Sequence, residues 1–246
     1  MATDDLIRSS SLGFMRGVGV YAALYPLEVM KTLQQADAAA LRSHQAAARI
    51  FQERGMRGFY AGFTSKLMET GVKQLVTWPI LIELMPPLLA PHQLNPLVEQ
   101  AVTGVAVASV NALLSAPFNK KMITSIVHDK RAFSISQAWS GLATHWVNQS
   151  VSWVAFLVSQ KFLRDQYQQY AGRKKLTLGE LAGVGSTVAL FVSVITSATD
   201  RANTLKQCQR AAFGSGGAFR GLFPRTVMLM AHGAASVALM GTLEHN

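Results

Sequence analysis

Three stretches of this chain repeat one short pattern at an interval near 80 residues. GFYAG at 58–62, QAWSG at 137–141 and GAFRG at 217–221 each set an aromatic residue, Tyr60, Trp139 or Phe219, two positions before a glycine. Those glycines, Gly62, Gly141 and Gly221, are 79 and 80 residues apart. Upstream of them, YPLEVMKTLQ, APFNKKMITS and SATDRANTLK align Pro26, Pro117 and Ala198 at intervals of 91 and 81. Similar units that cannot bury their own faces alone must pack against one another. The predicted organisation is a single domain, 1–246, of three repeats at approximately 9–92, 93–172 and 173–246.

Within those repeats, six stretches at about 11–35, 65–90, 96–125, 141–163, 178–206 and 221–243 are long enough to cross a hydrocarbon core of about 30 Å. Each carries polar residues near helical spacing, as in LMETGVKQLVTWPILIEL and LATHWVNQSVSWVAFLV. A charge facing lipid at the bilayer centre costs about 2.5 to 3.5 kcal/mol, so Glu69 and Lys73 are expected to face protein or water. The predicted fold is an all-α membrane protein, six transmembrane helices in three pseudo-threefold helical hairpins around a central cavity. A soluble helical bundle is the competing reading. Against it stand Gly13, Gly17, Gly19, Gly183 and Gly185, which weaken soluble helices but permit close packing in membranes. So does a charged fraction of 15%, where soluble domains have about 25%.

The net charge of +10 suits nucleic acid or an anionic membrane, and its distribution favours the membrane. Segments 36–61, 118–138 and 199–220 each hold four Lys or Arg, whereas the other side holds five in all. The positive-inside rule places the three basic loops on the cytoplasm-like side and both termini opposite. One cysteine, Cys208, allows no internal disulfide, and MATDDLIRSSS does not read as a cleaved presequence. No phosphate-cradling loop, metal-ligand cluster or nucleophile elbow is present, so an enzyme is not expected. Basic loops without interleaved aromatics do not suggest a nucleic-acid partner.

Pro26, Glu28 and Lys31, followed by Gln35, form a proline-acid-base motif, and ERGMRGFYAGF follows downstream. In these motifs, and in their copies in register, the chain resembles the mitochondrial carrier family. The resemblance implies a mitochondrial inner-membrane location, with the basic loops in the matrix and the termini towards the intermembrane space. It also implies helices kinked at Pro26 and Pro117, converging on a matrix gate of paired charges. Carried over by position, the gate comprises Glu28, Lys31, Gln35, Asn119, Asp200 and Gln207. Lys31 would pair with Asp200, Glu28 would face Met122, and Asn119 would face Asn203. Gln35 and Gln207 would be braces, which Ile126 cannot be; Lys120 or Lys121 would rescue Glu28 only after a register shift. One ion pair of three survives, and an exposed pair contributes about 0 to 1 kcal/mol.

The family's opposite gate is eroded as well: Pro86 follows Glu83 where a base belongs, and Ser159, Gln160 and Leu163 replace the second copy. From the motif proline, or Ala198, to the glycine there are 36, 24 and 23 residues, so the later two loops are trimmed.

Counting seven, eight and eleven residues from the glycines gives the expected cavity or substrate contacts. They are Glu69, Thr70 and Lys73; Asn148, Gln149 and Ser152; and Met228, Leu229 and His232. The competing reading pairs Glu69 with Lys73 and leaves Asn148 and His232 to core hydrogen bonds. Gly62, Gly141 and Gly221, with Arg220, are candidate cardiolipin sites, because helix N-termini favour phosphate; simple turn-making is the alternative. Beyond structural cardiolipin no cofactor is expected. The eroded gates favour a transport-impaired accessory subunit of a larger inner-membrane complex of respiratory-chain type. The alternative is an exchanger of a small anionic metabolite, a nucleotide or a carboxylate, by alternating access.

Overall fold

A computed structural model describes residues 3–36, 41–127, 138–173, 175–208, 217 and 219–244. The described residues are overwhelmingly helical and contain no strand. Helix α1, Thr3–Ala36, leads to a short helix α2, Ser43–Arg54, and a 3-10 turn, Met56–Tyr60. Then come α3, Phe63–Pro79, a π-helical turn, Ile80–Leu84, α4, Met85–Leu89, and a 3-10 turn, Ala90–His92. The rest consists of α5, Pro96–Val127; α6, Leu142–Ala171; α7, Leu178–Ile195; α8, Ser197–Gln207; and α9, Leu222–Glu244.

Two expected stretches are not single α-helices. The one at 65–90 passes into the π turn directly after Pro79, whose missing N–H relaxes the regular ladder. The one at 178–206 breaks at Thr196, which leaves helical geometry at φ −93° and ψ 3°. Its hydroxyl donates to the Val192 carbonyl at 2.6 Å, a back-bond that bends helices. By contrast, Pro26 and Pro117 lie inside the uninterrupted helices α1 and α5. The trimmed loops fall largely at 128–137 and 209–216, outside the described residues.

The long helices pack in chain order: α1 on α3, α3 on α5, α5 on α6, α6 on α7, and α7 on α9. Helix α9 returns to α1, closing the ring. The α7–α9 contact is closest at Gly185 and Gly233, where any Cβ would run into the facing backbone. Gly62, Gly141 and Gly221 have φ of 78°, 85° and 74° and open α3, α6 and α9. Their lack of a side chain also serves packing between helices. A Cβ at Gly62 would lie 3.0 Å from the Met122 carbonyl of α5, one at Gly141 3.3 Å from Nε2 of Gln207 in α8, and one at Gly221 3.0 Å from the Lys31 carbonyl of α1. The three glycines therefore abut α5, α8 and α1 in turn.

Polarity is distributed inside out. Leu113, Leu190, Phe191, Ile195 and Phe223 are exposed, whereas Glu28, Lys66, Glu69, Asn111, His145, Asp200 and Arg225 are buried. Apolar clusters lie between helices; Tyr25 and Val29 of α1, Ile50 of α2, and Met122 and Ile126 of α5 belong to one. Two helices, Pro96–Val127 and Leu178–Ile195, are long and apolar enough to cross a membrane by length and composition, among the described residues. Of the other expected spans, α3 contains Lys66, Glu69 and Lys73, and α6 ends with Lys161, Arg164 and Asp165.

Candidate functional site

The ring encloses a cavity of about 240 Å³. Because residues four apart share a helix face, the seven-and-eleven spacing aims side chains at one interior. All the expected contact positions line it: Glu69, Thr70 and Lys73 from α3, Asn148, Gln149 and Ser152 from α6, and Met228, Leu229 and His232 from α9. Glu28, Lys31, Asn119 and Asp200 of the gate set also line it.

Glu69 is 1% exposed and shared by two lysines of its own helix. Lys73 Nζ donates to its Oε1 at 2.5 Å and Lys66 Nζ to its Oε2 at 3.2 Å. Lys66 also stands 4.8 Å above the ring of Tyr21 on α1, close enough for a cation–π contact. His232 packs on the same tyrosine with its ring tilted by 45°, ring centroids 4.0 Å apart. Asn148 accepts from the Thr199 hydroxyl at 2.9 Å.

Among the expected gate positions, Lys31 bridges two acids, Glu28 at 2.8 Å and Asp200 at 3.5 Å. Glu28 thus has a partner in its own helix, where position alone set it against Met122; a lysine three residues on is within reach on the same face. Lys120 instead donates to the Ser140 hydroxyl, and Lys121 is exposed. Asp200 is held further by Gln35, whose Nε2 donates at 2.7 Å, and by the guanidinium of Arg225. Arg225 also donates to Thr196 at 2.5 Å, so one side chain ties the α7–α8 break to α9. Gln35 accepts from Thr204 at 2.7 Å. Gln207 is 1% exposed, and neither of its side-chain amide atoms has a partner among the described residues.

Asn119 and Asn203 do not meet directly. The imidazole of His145 lies between them, its Nδ1 3.3 Å from Nδ2 of Asn119 and 3.4 Å from Nδ2 of Asn203. Nε2 is 2.9 Å from Oγ of Ser115, whose own proton goes to the Asn111 carbonyl at 2.5 Å. That network fixes the tautomer: Nδ1 accepts from the amides and Nε2–H donates to the serine. An unprotonated Nδ1 makes the ring neutral.

Sequence reasoning assigns no role to Lys66 or Arg225, and reads His145 only as packed or cavity-lining. All three stand four residues after a repeat glycine, at Gly62, Gly141 and Gly221, and all are buried, at 7%, 1% and 5% exposure. The signal was present in the alignment as a basic or imidazole residue in every copy. For His145 and Arg225 its meaning depends on partners drawn from other helices, whereas Lys66 pairs with Glu69 of its own helix.

The glycines themselves act as turns and close contacts, and Arg220 beside Gly221 is half-buried. At the other end a second cavity of about 560 Å³ opens between α4, α5 and α6, lined by Ile82, Pro86, Glu99, Gln160, Lys161 and Arg164 among others. Two eroded-gate positions, Pro86 and Gln160, line this opening. Among the described residues no group of three or more His, Cys, Asp or Glu side chains is placed to hold a metal ion.

No curated protein matches the chain. A family model described as mitochondrial carrier protein matches residues 3–85, from the start of α1 through the π turn that follows α3. That match covers the first helical hairpin with its proline-acid-base motif, and it supports membership of this chain in the mitochondrial carrier family.

Proposed function

We propose that this chain is a carrier-type protein of the mitochondrial inner membrane whose central cavity accepts a small anion. Family members are transporters, and an apolar exterior around a polar interior suits a bilayer. In this reading all six long helices cross the membrane as three related hairpins, the basic loops lie in the matrix and the termini face the intermembrane space. The observation that carries the reading is the charge of the cavity. Lys31, Lys66, Lys73 and Arg225 face Glu28, Glu69 and Asp200, leaving the lining positive when His145 and His232 are counted as neutral. The Glu28–Lys31–Asp200–Arg225 chain acts as the matrix latch, and bound lipid phosphate at the helix starts would steady it.

An accessory, transport-impaired subunit of a larger inner-membrane complex is the second reading. It is favoured by the far end, where the second cavity opens between Pro86 and Gln160 instead of a paired acid and base. Purified chain reconstituted into liposomes separates the two. Saturable exchange of an internal labelled anion, abolished by Asp200→Asn with Lys31→Ala, is expected of a carrier. Absence of exchange, with fixed-stoichiometry co-purification with a respiratory complex, would replace that reading with the accessory one.

A further inference from the structure

The cavity's charges divide into two separate groups. Glu28, Lys31, Asp200 and Arg225 form one continuous chain across α1, α8 and α9, with two acids, two bases and no net charge. The other group, Lys66, Glu69 and Lys73, lies wholly on α3 and holds two bases around one acid. The single unbalanced charge of the lining therefore resides on α3. It is buried, since Lys66 is 7% exposed, and buried charge demands a counter-ion.

From this we propose that the ligand is a singly charged, carboxylate-sized anion bound on the α3 face, and that Lys66 is the residue that sets this charge preference. The inference rests on the anion-binding reading above and narrows its substrate class. A monoanion brings the lining to neutrality. A nucleotide would carry two or more charges beyond what the lining compensates, and each would be buried without a partner. Size points the same way: at about 240 Å³ the cavity lies below the range of about 300 to 1,000 Å³ usual for drug-sized ligands.

Lys66 fits the role better than Lys73 for two reasons. Its hold on Glu69 is the longer of the two, 3.2 Å against 2.5 Å, so it turns to a ligand at less cost. It also lies over Tyr21, whose ring face keeps an ammonium in place while the ligand comes and goes. Because Glu69 is doubly held, removing Lys66 leaves the acid paired with Lys73, and the fold should survive.

The test uses the full chain, in detergent and in liposomes, with lactate, its neutral analogue lactamide, malonate, citrate and ATP as probes. Expected are a rise in melting temperature and saturable uptake with lactate, at least tenfold weaker responses to citrate and ATP, and little response to lactamide. Lys66→Met should keep the melting temperature of the free protein while its lactate-over-lactamide preference collapses at least tenfold; Lys66→Arg should restore it. Strong binding of ATP or citrate with weak binding of lactate would overturn this inference and leave the anion carrier standing. An unchanged preference in a folded Lys66→Met would overturn it too. If no probe stabilises the chain or enters the liposomes, both readings fall.

Discussion

Asp200 of α8 is gripped from two sides by helices far from it in sequence, by Arg225 of α9 and by Lys31 of α1, the latter at 3.5 Å. The carboxylate thus joins the end of the ring to its beginning. A buried charge stripped of its partner costs about 3 to 5 kcal/mol, although replacing a whole pair is often nearly neutral. Asp200→Asn, which leaves the buried Arg225 with only a neutral amide and Thr196, should destabilise the protein by an amount of that order. The double variant Asp200→Asn with Arg225→Gln should recover most of it. Thermal unfolding in detergent measures both, and a double variant no better than the single would show that Arg225 is not the partner.

Gly221 and Gly172 both adopt positive φ, 74° and 63°. A Cβ on Gly221 would crowd the Lys31 carbonyl at 3.0 Å, but one on Gly172 meets nothing within 4 Å. Gly172→Ala should cost only the left-handed strain, about 1 kcal/mol. Gly221→Ala should cost at least about 1 kcal/mol more, through overpacking of the α9–α1 contact. Equal losses in melting temperature would mean that the approach to Lys31 is slack.

His145 organises Ser115, Asn119 and Asn203. His145→Phe fills the space but leaves two buried amides and a hydroxyl without their acceptor or donor. The expected loss is about 1 to 3 kcal/mol for each group that finds no other partner. His145→Gln, which can both donate and accept, should retain more stability than His145→Phe; the reverse order would contradict the proposed tautomer.

Thr177 and Glu180 cap α7 reciprocally: the Glu180 N–H donates to Oγ1 of Thr177 at 3.3 Å, and the Thr177 N–H donates to the Glu180 carboxylate at 2.7 Å. Thr177→Ala should cost about 1 kcal/mol, and Thr177→Ser almost nothing. A drop in melting temperature common to both would point to the threonine methyl instead.

Much of this arrangement was legible in the sequence wherever spacing within one helix sufficed. The count from each repeat glycine located the cavity-lining positions of α3, α6 and α9, because helical geometry alone decides which residues share a face. Register within the proline motifs likewise pairs Lys31 with Asp200, which lie 3.5 Å apart. What escaped depended on more than one helix. Arg225 carries no role until α8 supplies Asp200, and His145 reads as packed or cavity-lining until α5 and α8 supply Ser115 and Asn203. The break at Thr196 was hidden too, because no proline or glycine marks it; a hydroxyl back-bond and the Arg225 contact produce it together. Glu28 finds its partner within its own helix, in Lys31 three residues on, a pairing that comparison across repeats does not address.

The central claim is that the ring's interior is wet while its exterior lies in lipid. Single cysteines in a Cys208→Ser background test it in sealed liposomes: one at Ser152, which lines the cavity, and one at Leu190, exposed on the outer face of α7. A charged, membrane-impermeant thiol reagent should label Ser152→Cys readily and leave Leu190→Cys unmodified. Rapid labelling of Leu190→Cys with protection of Ser152→Cys would contradict the account.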